Sequence, residues 1–146
     1  MPLLTPDHVL LNSEASSKRA LITELTQMLS SMDPDLVMEV VMAREKLGST
    51  GIGHGVAIPH GRMSELGHPV VAIARHSRGV DFDAIDGEPV HIVIMLLVPG
   101  DDSRIHLELL AHLARILQQE HLREAVMRAQ TAEEIIGLFP EPEPTS

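Results

Sequence analysis

The chain has 146 residues, the length of one domain, and folding at this size removes roughly two-thirds of the unfolded surface from water without any covalent staple. A formal charge of −10 with no basic run sets it against nucleic acid and anionic lipid, and two phenylalanines with no Trp or Tyr leave almost nothing to stack on bases or sugar rings. The absence of cysteine removes disulfides, thiolate catalysis and cysteine-based zinc sites.

No signal peptide and no run of about 18 apolar residues is present, so no membrane insertion is expected and a cytoplasmic location is. The first apolar patch, Val9-Leu10-Leu11, predicts a short strand, and Ser13 to Ser17 offer helix caps. Leu21, Leu25, Met28, Leu29 and Met32 then fall on one face of an amphipathic helix. Asp33-Pro34 caps a second helix whose apolar face is Leu36, Val37, Val40, Val41 and Leu47. This helix delivers Arg44 on its last turn. Two readings of Arg44 stay open: a functional cation held before a loop, or a solvated residue favoured by the helix C-terminus.

The loop itself, Gly48 to Arg62, is the most informative stretch. Gly48, Gly51, Gly53 and Gly55 permit positive φ and close approach, Val56-Ala57-Ile58 reads as a brief buried strand, and Pro59 is expected to end it. His60 is thereby presented at a strand end, between a proline and Gly61. Downstream, 70–74 and 90–98 are apolar on both alternating faces, which predicts strands in a sheet covered by helices on each side. Ser77-Arg78-Gly79 and Asp86-Gly87-Glu88-Pro89 read as turns.

After Pro99-Gly100, Asp101, Asp102 and Ser103 are caps for a helix with the stripe Leu109, Leu110, Leu113, Ile116 and Leu117. His106 lies on that stripe and is read as facing inward, whereas His112 falls with Glu108, Arg115 and Gln119 on the polar face. A last helical region, 122–139, breaks near Gln130-Thr131. It leads into a proline-rich acidic tail, so the expected organisation is one domain over 1–139 and a disordered tail over 140–146.

The spacing around His60 names no reaction by itself; if it takes a phosphoryl group it has to be neutral, and an imidazole of pKa about 6.5 meets that condition without a base. The loose, in-line transition state of such a transfer mainly needs donors for the equatorial oxygens. For such a transfer Arg44 could supply a forked cation and His106 at a helix N-terminus a neutral N–H, with exposed backbone N–H groups around Gly53 to Gly61 as further candidates. Metal binding is not expected, since His-x-His and His-Glu-x-x-His are absent, and the remaining histidines, His8, His68, His76, His91, His112 and His121, are read as surface or strand residues. Gly51-x-Gly53-x-Gly55 lacks the Gly-Lys-Ser/Thr ending of a nucleotide loop, so no cofactor is assigned.

As a whole, Arg44-Glu45-Lys46-Leu47-Gly48-Ser49-Thr50-Gly51 through Ala57-Ile58-Pro59-His60-Gly61 resembles the active-site segment of the phosphotransferase-system (PTS) IIA domains of the fructose/mannitol/nitrogen type, EIIA type 2. Asp101 to Leu107 resembles that family's second histidine motif, and the similarity runs over nearly the whole chain up to the tail. The resemblance implies an α/β single domain, a mixed, mostly parallel sheet flanked by helices on both faces. It also implies a phosphotransferase in which His60 is phosphorylated at Nε2 by an HPr-type phosphocarrier protein, beside His106 and Arg44, and passes the group to a IIB domain or uses it as a signal, the nitrogen-regulatory role being favoured. Thr50 and Gly61 are further phosphate-binding candidates, Thr50 with an equal claim as a turn residue. His54 replaces the asparagine of many nitrogen-type members, either as neutral variation or as a third imidazole near the phosphate. No permease segment or IIB domain accompanies the motif, which fits a free-standing IIA protein. The competing reading is a regulatory binding module whose partners sense the charge added at His60.

Overall fold

Two long strands, buried on both faces along most of their length, organise the molecule. In the computed structural model, which describes residues 4–100 and 103–140, the strands are β1 (Val9–Leu10), β2 (Gly51–Gly53), β3 (Val56–Ala57), β4 (His60–Met63), β5 (Val70–Val80) and β6 (Val90–Pro99). The sheet order is β1-β5-β6-β3-β2, with β4 also paired to β6. β1 with β5, and β3 and β4 with β6, run parallel, while β2–β3 and the long β5–β6 pair are antiparallel, so the sheet is mixed with three of these five pairings parallel.

The two sheet faces bury different residues, as alternation demands. Ile58, Val71, Ile73, Ile92, Ile94, Leu96 and Val98 face one layer, which is built from α3 (Ser103–Leu117), α4 (Glu120–Arg128) and α5 (Ala132–Ile136). Ala57, Ala72, Ala74, Val93, Met95 and Leu97 face the other, built from α1 (Lys18–Gln27) and α2 (Pro34–Leu47). The result is a three-layer α/β/α domain, as the strands apolar on both faces require. Caps close the helices where the sequence places them. Ser17 Oγ accepts the N–H of Ala20 at 3.1 Å, Asp33 accepts that of Asp35 at 3.0 Å, and Thr131 accepts that of Glu134 at 3.2 Å. Arg75 ties the layers together: Nε donates to the carbonyl of Leu11 at 2.9 Å and Nη1 to those of Val126 at 2.9 Å and Ala129 at 2.5 Å, a cation at the C-terminus of α4.

Four expectations need correction. α1 stops at Gln27; Met28, Leu29 and Met32 bond to carbonyls three residues back, so tight turns carry buried Leu29 to the core. Leu47 is 84% exposed, since it stands about 240° round the helix from buried Val41. Ser77-Arg78-Gly79 is not a turn but part of β5, where the register with β6 shifts; His76 is 3% exposed there and takes the N–H of Gly79 on Nδ1 at 3.0 Å. Pro59 interrupts the ladder without ending it. It lacks an N–H, but its carbonyl accepts Leu96 N–H at 2.9 Å and the chain resumes as β4 in unchanged register. Asp101, Asp102, the Ser103 side chain and the tail beyond Pro140 lie outside the described residues. Among the described residues no helix is long and apolar enough to cross a membrane.

Candidate functional site

Because β4 continues along β6, residues 60 and 62 share one side of the strand and residues 61 and 63 the other. Met63 packs in the α1/α2 layer, and a Cβ on Gly61 would come within 2.4 Å of Val40 Cγ1 on α2. His60 and Arg62 therefore project toward α3, whose first turn carries His106. The absent side chain of Gly61 is the space in which α2 seats against β4, a packing requirement that needs no phosphate.

His60 is partly buried, and its Nδ1 lies 2.8 Å from the carbonyl oxygen of Ile58. A carbonyl only accepts, so the proton resides on Nδ1 and Nε2 keeps a free lone pair. The ring of His106 meets that of His60 edge to face, with centroids 5.1 Å apart and planes at 80°. His106 is 9% exposed, and its Nδ1 accepts the Nε–H of Arg62 at 3.3 Å, which places its own proton on Nε2. One imidazole thus offers a lone pair and its neighbour an N–H. Burial lowers the pKa of His60 most, Arg44 adds to the effect, and the Ile58 carbonyl and Glu45 oppose it. His106 is also lowered, first by burial and then by the charges of His60, Arg62 and Arg44. Both shifts favour the neutral ring. Arg44 reaches both electrostatically while its Nη1 donates to the Gly48 carbonyl at 2.8 Å, fixing the guanidinium against the loop that α2 enters.

The structure thus brings His60, His106 and Arg44 together, one from the sheet and one from each helical layer. It does not bring His54. Gly55 lies level with His91, where its carbonyl accepts the His91 N–H at 2.8 Å, whereas His60 lies level with Leu96, about 16 Å further along β6. His54 and Gly55, at φ 58° and 77°, form the two-residue turn between β2 and β3, and positive φ at both positions is the pattern of a type I′ hairpin. Asn-Gly is its preferred sequence, so the departure from asparagine is a backbone substitution and not a third imidazole at the site. Thr50 is buried, and its hydroxyl donates to Glu45. Arg62, Glu45 and Lys18 were not singled out by sequence; for Arg62 the available signal was its i+2 relation to His60, hidden by the expectation that Pro59 ends the strand.

Comparison with known proteins identifies the family. Residues 2–141 match the family model described as "Phosphoenolpyruvate-dependent sugar phosphotransferase system, EIIA 2". A nitrogen regulatory protein of Pseudomonas aeruginosa is 40% identical over 135 residues, 90% of this chain and 88% of that protein. The crystal structure of nitrogen regulatory protein IIA-Ntr from Neisseria meningitidis superposes with a TM-score of 0.90 at 41% identity, over 94% of this chain and 97% of that one. The IIA mannitol enzyme of Escherichia coli, solved in complex with phosphorylated IIB mannitol, shares the fold at a TM-score of 0.78 and 22% identity, over 93% and 96% of the two chains. The chain belongs to the EIIA type 2 family of the phosphoenolpyruvate-dependent sugar phosphotransferase system.

Proposed function

We propose that His60 is the phosphoryl acceptor of a cytoplasmic phosphotransferase that takes the group from an HPr-type phosphohistidine protein. It passes the group to a IIB domain or, as the names of its nitrogen regulatory relatives favour, presents it to regulatory targets. The observation that carries this reading is the 2.8 Å contact of His60 Nδ1 with the Ile58 carbonyl, which leaves Nε2 as the attacking atom. As the Nε2–P bond forms, the N–P bond of the donor breaks and its electron pair leaves with the donor imidazole. Positive charge that develops on the His60 ring is drawn along the Nδ1–H toward Ile58, while Arg44 and the Nε2–H of His106 stabilise the equatorial oxygens.

The test is incubation with a phosphorylated HPr-type donor, followed by intact mass measurement and acid treatment. One acid-labile phosphoryl group is expected, lost in His60→Ala and retained in His112→Ala. Labelling that persists in His60→Ala overturns the assignment.

A further inference from the structure

Beneath the site lies a buried carboxylate that the transfer step does not use. The side chain of Glu45 is 1% exposed, and Lys18 Nζ at the start of α1 pairs with its Oε2 at 2.8 Å. Its other contacts are to Thr50, whose hydroxyl donates to Oε1 and whose N–H donates to Oε2 at 3.3 Å. The carbonyl of Thr50 in turn accepts the Ile58 N–H at 3.1 Å, and the carbonyl of Ile58 holds the Nδ1 proton of His60. A continuous chain of contacts therefore runs from the ion pair to the imidazole through one residue at each step, Thr50 and then Ile58.

Given that His60 is the acceptor, on which this inference rests, we infer that Glu45 is its positioning residue: the Lys18-neutralised carboxylate anchors Thr50, and so the Ile58 carbonyl that decides which nitrogen of His60 attacks. Burying a carboxylate is unfavourable unless its charge and lone pairs are satisfied, and here Lys18 supplies the charge and Thr50 both donors. An apolar side chain at 45 would leave the N–H of buried Thr50 without its acceptor and release the loop between α2 and β2. Glu45 also follows Arg44 directly on α2. The same helical turn that presents the cation to the two imidazoles thus fixes the strand that carries one of them.

The experiment combines imidazole ¹⁵N NMR of His60 with single-turnover transfer from a phosphorylated HPr-type donor, in the full chain and in Glu45→Gln, Thr50→Val and Thr50→Ser. Expected are a single Nδ1–H tautomer in the unsubstituted chain, a mixed tautomer in Glu45→Gln and Thr50→Val with transfer slowed about 10- to 100-fold, and recovery of most of both losses in Thr50→Ser. The tautomer separates positioning from support of the fold, which would lower stability without changing where the proton sits. A pure Nδ1–H tautomer in folded Glu45→Gln and Thr50→Val overturns the inference. If Glu45→Gln does not fold, Thr50→Val decides alone. Should the unsubstituted chain accept no phosphoryl group, the acceptor reading fails by itself, while the tautomer comparison still decides the role of Glu45.

Discussion

Arg62 and His106, 44 residues apart in sequence, meet through an Nε–H···Nδ1 hydrogen bond of 3.3 Å on the sheet face covered by α3. A guanidinium can only donate, so this contact assigns the tautomer of His106 and turns its Nε2–H into the remaining donor of the ring.

Removing the guanidinium frees that choice. Arg62→Met is expected to slow phosphoryl transfer to His60 about tenfold by misplacing one donor while leaving the thermal midpoint nearly unchanged, because Arg62 is exposed. ¹⁵N NMR should show His106 as a tautomer mixture in the variant and as Nε2–H in the unsubstituted chain.

Arg44→Ala and His106→Ala each remove a donor without touching the acceptor. By analogy with oxyanion-hole donors, each is expected to cost about 2.7–4 kcal/mol in the transfer barrier, roughly 10²–10³ in rate. Single-turnover kinetics alongside circular dichroism check this; an unaltered rate in either variant removes that residue from the site.

Acidification acts on both imidazoles in one direction. Burial holds His60 and His106 below the ordinary histidine value of 6.5, with Arg44 pushing the same way for both and Arg62 for His106. Between that value and the lowered ones the unfolded chain binds more protons than the folded chain, so stability is retained above pH 6.5 and lost as pH falls through the folded-state values. Histidine NMR titrations should give midpoints under 6.5 for both rings. Urea midpoints should decline from pH 7.5 to 5, less steeply in a His60→Gln, His106→Gln double variant.

His54→Asn is expected to transfer at the rate of the unsubstituted chain, since the residue occupies a hairpin turn at φ 58° and lies far along β6 from His60. His54→Val, which fits positive φ poorly, should lower stability by about 1–2 kcal/mol in denaturant titration. A large loss of transfer in His54→Asn would restore the third-imidazole reading.

Gly61→Ala is expected to destabilise the fold by about 1–3 kcal/mol, because Val40 must move to admit a Cβ. Combining it with Val40→Ala should recover part of that loss, measured as the urea midpoint.

Local patterning settled the parts of this protein that depend on neighbours in sequence. Two strands apolar on both faces required helical layers above and below them, Ser17, Asp33 and Thr131 could be read as caps or breaks, and the inward placement of His106 followed from its spacing to Leu110 and Leu113. The glycine segment and Pro59-His60 carried a motif specific enough to indicate the family. Tertiary structure alone decided that Pro59 would be bridged by β6, because the Leu96 N–H that donates to its carbonyl lies 37 residues away. That one continuation fixed the side on which His60 and Arg62 emerge, and with it the Arg62–His106 contact. The burial of Glu45 against Lys18 was equally out of reach: a charged residue on the last turn of a helix looks solvated by pattern, and only the closing of α1 over α2 supplies the cation that makes its burial tolerable.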